Sequence, residues 1–231
     1  MDFSNRIIAP LFRIGGVTIY LTQTLVSTWF VMAALITFAV VVRIKLRRFT
    51  EVPKAKSLQN VVEAMVETMS NFASDSLGKE FEFLGPYFFG VFAFILVANL
   101  TALLGFRPPT ADLAVTLGLA LSTFGLIHSL GIIRKKGRYF KEYFEPVPLF
   151  LPINIVGEIA LPISLSFRLF GNILGGIIIL DLIYEMFPVF LKIAVPSFLH
   201  MFFDVFVGCI QAFVFTVLSM TFIRQKAGHE E

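Results

Sequence analysis

The stretch "SFRLFGNILGGII", residues Ser166 to Ile178, places one arginine inside an apolar run. Asn172 follows one helical turn later. The run extends from about Leu149 to Phe187, and Arg168 lies well over a turn from either end. Its guanidinium cannot reach a water interface by extending along the helix. An ionisable residue in a membrane span costs roughly 2.5–3.5 kcal/mol on insertion scales and usually faces a wet cavity or an ion path. The fold class therefore depends on whether this run crosses a membrane.

Composition says that it does. Hydrophobic residues make up 57% of the chain and charged residues 15%, with a mean hydropathy of +0.83. Soluble domains carry nearer 25% charged residues. The expected fold is an all-α integral membrane protein, residues 1–231 forming a single membrane domain. A hydrocarbon core of ~30 Å needs about 20 apolar residues in a helix. Five runs qualify, at about 25–42, 86–105, 113–133, 149–187 and 193–223. The last two exceed a perpendicular span, so tilt or a partly horizontal course is expected. Residues 57–74 carry Leu58, Val61, Val62, Met65 and Met69 on one side and Glu63, Glu67 and Asn71 on the other. That pattern predicts an amphipathic surface helix.

Basic clusters follow the first span ("RIKLRR"), the third ("RKKGR") and the last (Arg224 and Lys226). Such clusters mark the cytoplasmic side, so the N-terminus is expected outside and the C-terminus inside. Their place between apolar runs also argues against nucleic acid as a partner. The N-terminus shows no signal-peptide pattern. Cys209 is the single cysteine, so no intramolecular disulfide is available. The "NLT" sequon at Asn99 lies inside a span and is discarded. Scattered histidines support no metal site, and no Walker-type phosphate loop occurs. No cofactor is expected.

Two polar stripes remain. At 100° per residue, Gly157, Leu161, Ser164, Asn172, Gly175 and Ile179 fall within ~40° of Arg168. Glu158 and Gly176 lie about 80° away. The opposite side carries Ile177, Asp181 and, further round, Glu185. On the last helix Ser197, His200, Gly208 and Gln211 fall within ~40° of Asp204. Folding these helices back at Pro188 sets Arg168 level with Gln211, and Asp181 and Glu185 level with Asp204 and His200. The acids and the histidine then gather toward the outside, with Glu158 on the cytoplasmic side of Arg168. His200 alone reads equally as a core histidine, but its register with Asp204 and Gln211 favours an ion path. His128 has no such companions and reads as structural. Asp112 reads as the N-cap of the third span. Gly171, Gly175 and Gly176 read first as helix-packing positions.

Five motifs occur in one order: "SLQNVVE" (57–63), "PPTADLAVTLGLAL" (108–121), "PINIVGE" (152–158), "SLSFRLFGNILGG" (164–176) and "IQAFVFTVLSM" (210–220). In this order they resemble subunit a of the bacterial F-type ATP synthase membrane sector. The resemblance implies a stator ion channel with two offset half-channels. These pass H⁺, or Na⁺, to and from carboxylates on a ring of c subunits, coupling ion flow to rotation and ATP synthesis. It implies that Arg168 is the essential stator arginine, with Gln211 beside it and Asn172 one turn on. It further implies Glu158 in the cytoplasmic half-channel, with Asp204 at a position that is His or acidic in relatives. On the polar stripes, Asp204, His200, Asp181 and Glu185 are then expected to line the outer entry. Gly171, Gly175 and Gly176 become rotor-facing small residues. Implied partners are the c-ring, the b-subunit peripheral stalk and the lipid bilayer, in a bacterial plasma membrane, with no catalytic site on this chain. One departure stands out: many members carry Glu nine residues after the arginine, where this chain has Ile177. Asp181, one turn later, is the candidate substitute. The competing readings are a stand-alone secondary ion transporter, whose usual paired repeats are absent here, and a structural anchor, which leaves the polar stripes unexplained.

Overall fold

The computed structural model describes residues 7–14, 17–46, 58–144, 147–188 and 191–228. Helix α1 (Gln23–Leu46) is apolar and ends in Arg43 and Lys45. At 1.5 Å per residue its 24 residues extend about 36 Å, enough to cross hydrocarbon. Helix α2 (Leu58–Leu77) is the expected amphipathic helix and runs three residues longer than the pattern indicated. The predicted start of that helix at Ser57 lies outside the described residues. So do the basic residues Arg47, Arg48, Lys54 and Lys56.

Helix α3 (Gly85–Leu100) begins with Pro86 in its first turn, where a missing N–H breaks no helical bond. Helix α4 (Leu113–Lys135) starts on Asp112, as expected. One Asp112 oxygen accepts the Ala114 N–H at 3.0 Å, and the other accepts the Thr24 hydroxyl at 2.9 Å. The cap therefore also joins α4 to α1. Helix α6 (Leu151–Met186) is a single 36-residue helix. The final span is continuous but not uniform. Helix α7 (Leu191–His200) passes into one π-helical stretch, Met201–Val207, and then into α8 (Gly208–Ala227). Among the described residues, five helical stretches are long and apolar enough to cross a membrane, matching the five expected.

Two elements were not legible in the sequence. Strands β1 (Ile7–Ile14) and β2 (Val17–Thr22) pair antiparallel, with Ile7 opposite Thr22 and Ile14 opposite Val17. Their Ile, Val and Thr content favours extended backbone. This hairpin precedes the helices, and the membrane-crossing part is all-α. The second is helix α5 (Gly137–Glu142), which folds back after Lys136 adopts φ 49°. The fold-back carries Tyr139 onto Gly131, where an added Cβ would lie 2.5 Å from the Tyr139 ring. Only glycine accommodates that approach.

Two apolar clusters hold the helices. One joins α2, α3, α4 and α8 through Leu77, Phe81, Phe88, Ile127, Met220 and Ile223. The other joins α3, α4, α6 and α8 through Ile95, Ala120, Leu165, Leu169 and Phe215. Polar ties cross the same interfaces. Asn99, fully buried, donates to the Gly208 carbonyl at 3.1 Å and accepts from the Thr110 hydroxyl at 2.7 Å. Its burial on α3 fits the dismissal of the sequon. Thr116 on α4 and Ser166 on α6 share a 3.0 Å hydroxyl contact. Trp29, Phe38 and Ile133 lie exposed on the outside of the helices. Apolar exposure of this kind suits hydrocarbon rather than water.

Candidate functional site

The inward stripe of α6 decides where Arg168 points. Pro162, Leu165, Leu169, Ile173, Gly176 and Leu180 are buried, at spacings of three and four residues. This is the knob spacing by which one helix face packs against its neighbours. Arg168, Gly171 and Asn172 lie off that stripe and are exposed. Among the described residues Arg168 forms no hydrogen bond or ion pair. An added Cβ at Gly157, Gly171 or Gly175 would meet nothing within 4 Å. The face around the guanidinium is therefore open and shallow.

Gly176 departs from the expected rotor-facing set. It is buried, and an added Cβ there would lie 3.2 Å from Phe203. Packing within the chain accounts for Gly176, which leaves Gly171 and Gly175 on the open face.

Contacts along α6 fix the depth of the final span. Asn172 donates to Gln211 at 2.6 Å, so Gln211 meets the residue one turn beyond Arg168. The Gln211 amide nitrogen is buried without a hydrogen-bond partner among the described residues. Further along, Gly176 meets Phe203, and the Tyr184 hydroxyl lies 3.4 Å from His200. The fold-back is thus antiparallel, as expected. Residues 189 and 190 at the turn lie outside the described residues.

His200 and Asp204 form a pair toward the far end of α6 from Glu158, with Nδ1 and the carboxylate 2.6 Å apart. Asp204 is buried within the π-helical stretch. A π turn shifts later residues around the helix, yet Asp204, Gly208 and Gln211 all remain on the buried side. Ser197 lies exposed. Asp181 and Glu185 are exposed on α6, and the contact with His200 comes from Tyr184 between them.

Glu158 sits at the other end, about 15 Å along α6 from Arg168 at 1.5 Å per residue. It is buried and forms an ion pair with Lys226 of α8. His128 of α4 approaches its second oxygen to 3.8 Å, and that oxygen has no hydrogen bond among the described residues. Pro162 has no N–H to offer the Glu158 carbonyl, so the helix ladder is broken at this residue. On α4 alone His128 has no polar companion. Its partners come from other elements: Glu158, and the Tyr139 hydroxyl at 2.9 Å from Nδ1. Tyr139 in turn contacts the Tyr143 hydroxyl at 3.0 Å. Burial, then the Tyr143 bond, pushes the Tyr139 hydroxyl far above its ordinary range, so it stays neutral. A cleft of about 430 Å³ opens here, lined by Glu142, Tyr143, Asn154, Gly157, Glu158 and Lys226. The sequence pattern alone does not bring His128, Tyr139, Tyr143 or Lys226 to Glu158.

Spanning helices that bury two acids, each beside a histidine, and expose a mid-span arginine on a glycine-lined face, define a membrane subunit built around an ion path. A family model described as ATP synthase A chain matches residues 25–224. The chain belongs to that family, subunit a of the F-type ATP synthase. It is 37% identical to "ATP synthase subunit a, sodium ion specific" of Propionigenium modestum, over 91% of this chain and 75% of that protein. It is 38% identical to ATP synthase subunit a 1 of Syntrophotalea carbinolica, over 84% of this chain and 81% of the relative. It is 34% identical to ATP synthase subunit a of Moorella thermoacetica, over 92% and 93%.

Proposed function

We propose that this chain is the stator ion channel of a rotary ATP synthase, and that Arg168 is the charge that separates its two half-channels. The observation that carries the reading is the open face of α6. It presents an unpaired guanidinium beside Gly171 and Gly175, with polar clusters toward either end. A cation arrives through the outer cluster of His200 and Asp204, with Tyr184, Asp181 and Glu185 at its mouth. It loads onto a carboxylate of the c-ring and leaves past Glu158 after nearly a full turn.

Arg168 drives the exchange. Its guanidinium remains protonated under any working condition. A ring carboxylate must be neutral or ion-bound while it faces lipid. Beside Arg168 the ionised form is favoured instead. At ~4 Å and an effective dielectric of ~20 the attraction is about 4 kcal/mol, or roughly three pKa units. The carboxylate therefore releases its cation on one side of Arg168 and reloads on the other. A cation moving directly between the half-channels would have to pass a fixed positive charge. The Asn172–Gln211 bond holds the two helices together one turn away. The drive is about 2.3 kcal/mol per charge per 100 mV, plus any concentration term.

The partners in this reading are the c-ring, the b-subunit stalk and lipid. The protein sits in a bacterial plasma membrane with its N-terminus outside and its C-terminus in the cytoplasm. Catalysis of ATP formation belongs to other subunits. A stand-alone transporter is not favoured for a chain of this family. The sodium-specific relative makes Na⁺ a candidate beside H⁺. Reconstitution tests the reading: vesicles holding this chain alone should pass neither ion, and the complete complex should couple ion flow to ATP synthesis. Na⁺ omission and a protonophore then identify the ion, since only the driving ion's gradient supports synthesis. Sustained H⁺ or Na⁺ flux by the isolated chain would favour the transporter.

A further inference from the structure

We propose that Lys226 is a resident counter-ion on Glu158, a positioning residue that keeps the inner exit from trapping the cation it releases. The inference rests on Glu158 lining that exit. Glu158 is buried, with a side chain 11% exposed, while Lys226 reaches it from the last turn of α8. The Lys226 ammonium also lies 5.3 Å from the centre of the Tyr143 ring, which holds it over the cleft. A buried carboxylate left without a counter-ion is an uncompensated charge, and it holds more tightly any cation that reaches it. An exit residue of that kind would hold the cation it should release. A tethered ammonium competes for the same carboxylate and is displaced only transiently.

Other ionisable groups around Glu158 do not replace it. His128 approaches one oxygen to 3.8 Å, but its other nitrogen is engaged by the neutral Tyr139. Across the cleft, Glu142 is paired with Lys135 at 2.9 Å, and Tyr143 contacts Tyr139. Lys226 is thus the cation in direct ion-pair contact with Glu158 among the described residues.

The sign follows. Losing Lys226 strengthens cation binding at Glu158, so cation on the ATP-forming side should inhibit synthesis at lower concentration. The test uses the reconstituted holoenzyme with the Lys226→Gln, Lys226→Arg and Glu158→Gln variants and the Lys226→Gln/Glu158→Gln double variant. H⁺ is varied as pH, and Na⁺ at fixed pH, on the ATP-forming side only. In Lys226→Gln, the concentration of the driving ion that halves synthesis should fall about tenfold, the low end of the shift an adjacent opposite charge produces. Lys226→Arg should stay near wild type. The same titration on the opposite side should not move. In the Glu158→Gln background, Lys226→Gln should add nothing. If Glu158→Gln alters synthesis and Lys226→Gln leaves the titration unmoved, the counter-ion role is wrong while Glu158 keeps its place in the exit. If neither changes it, Glu158 is not on the path and the proposal falls with that placement. Equal shifts on both sides would also overturn it, because a general loss of structure is not side-specific.

Discussion

Arg168→Ala is expected to abolish ion-driven ATP synthesis while the complex still assembles at near wild-type levels. The first half follows from magnitude. Removing about 4 kcal/mol of attraction returns a facing carboxylate roughly three pKa units toward its ion-bound form. Exchange then slows about a thousandfold, which is indistinguishable from loss in a synthesis assay. The second half follows from geometry. Arg168 is exposed and forms no hydrogen bond or ion pair among the described residues, so alanine leaves no buried orphan behind. The neighbouring Leu165 and Leu169, which hold α6 in the bundle, are untouched. Synthesis rate per assembled complex in membranes is the measurement that checks this. Normal synthesis by an Arg168→Ala complex would contradict the mechanism.

Gly171→Leu and Gly176→Leu should both lose synthesis, for different reasons that one pair of measurements separates. A side chain at Gly171 meets nothing in this chain within 4 Å. The variant should insert and accumulate normally, but its isobutyl group would stand on the face a rotor must approach. Synthesis is expected to fall at least about tenfold, the effect of roughly 1.4 kcal/mol on the approach. At Gly176 the first added atom already crowds Phe203 at 3.2 Å. Overpacking there costs about 1–3 kcal/mol, so the amount of chain in the membrane should drop along with activity. Immunoblot level and synthesis rate, taken together, distinguish the two. Equal loss of protein in both variants would remove the case for an open rotor face at Gly171.

The helices and the Arg168 face were legible because each is a property of one segment. An apolar run of spanning length announces itself, and so does a helical face carrying arginine, asparagine and glycine. Asp112 was readable as a cap for the same reason. The cluster around Glu158 was not legible, because it is assembled across α4, α5, α6 and α8. His128 had no polar companion at helical spacing on α4, and its partners arrive only when Lys136 reverses the chain and lays Tyr139 on Gly131. Lys226 looked like one more cytoplasmic flanking charge until α8 brought it to Glu158. Gly171, Gly175 and Gly176 are all glycines near the Arg168 face, and the helical angle alone does not say which of them packs within the chain. The position of Phe203 decides that it is Gly176. The π-helical stretch at Asp204 was also hidden, since no residue type specifies an extra residue per turn.

The most direct test is cation flux through a complex whose ring is covalently locked to this chain, for example by a disulfide formed on oxidation between Gly171→Cys and a cysteine introduced on the facing ring helix. Two dead-end half-channels joined only by a turning ring predict that flux stops on locking and returns on reduction. Undiminished H⁺ or Na⁺ flux through the locked complex would mean a continuous pore past Arg168, and would contradict the mechanism.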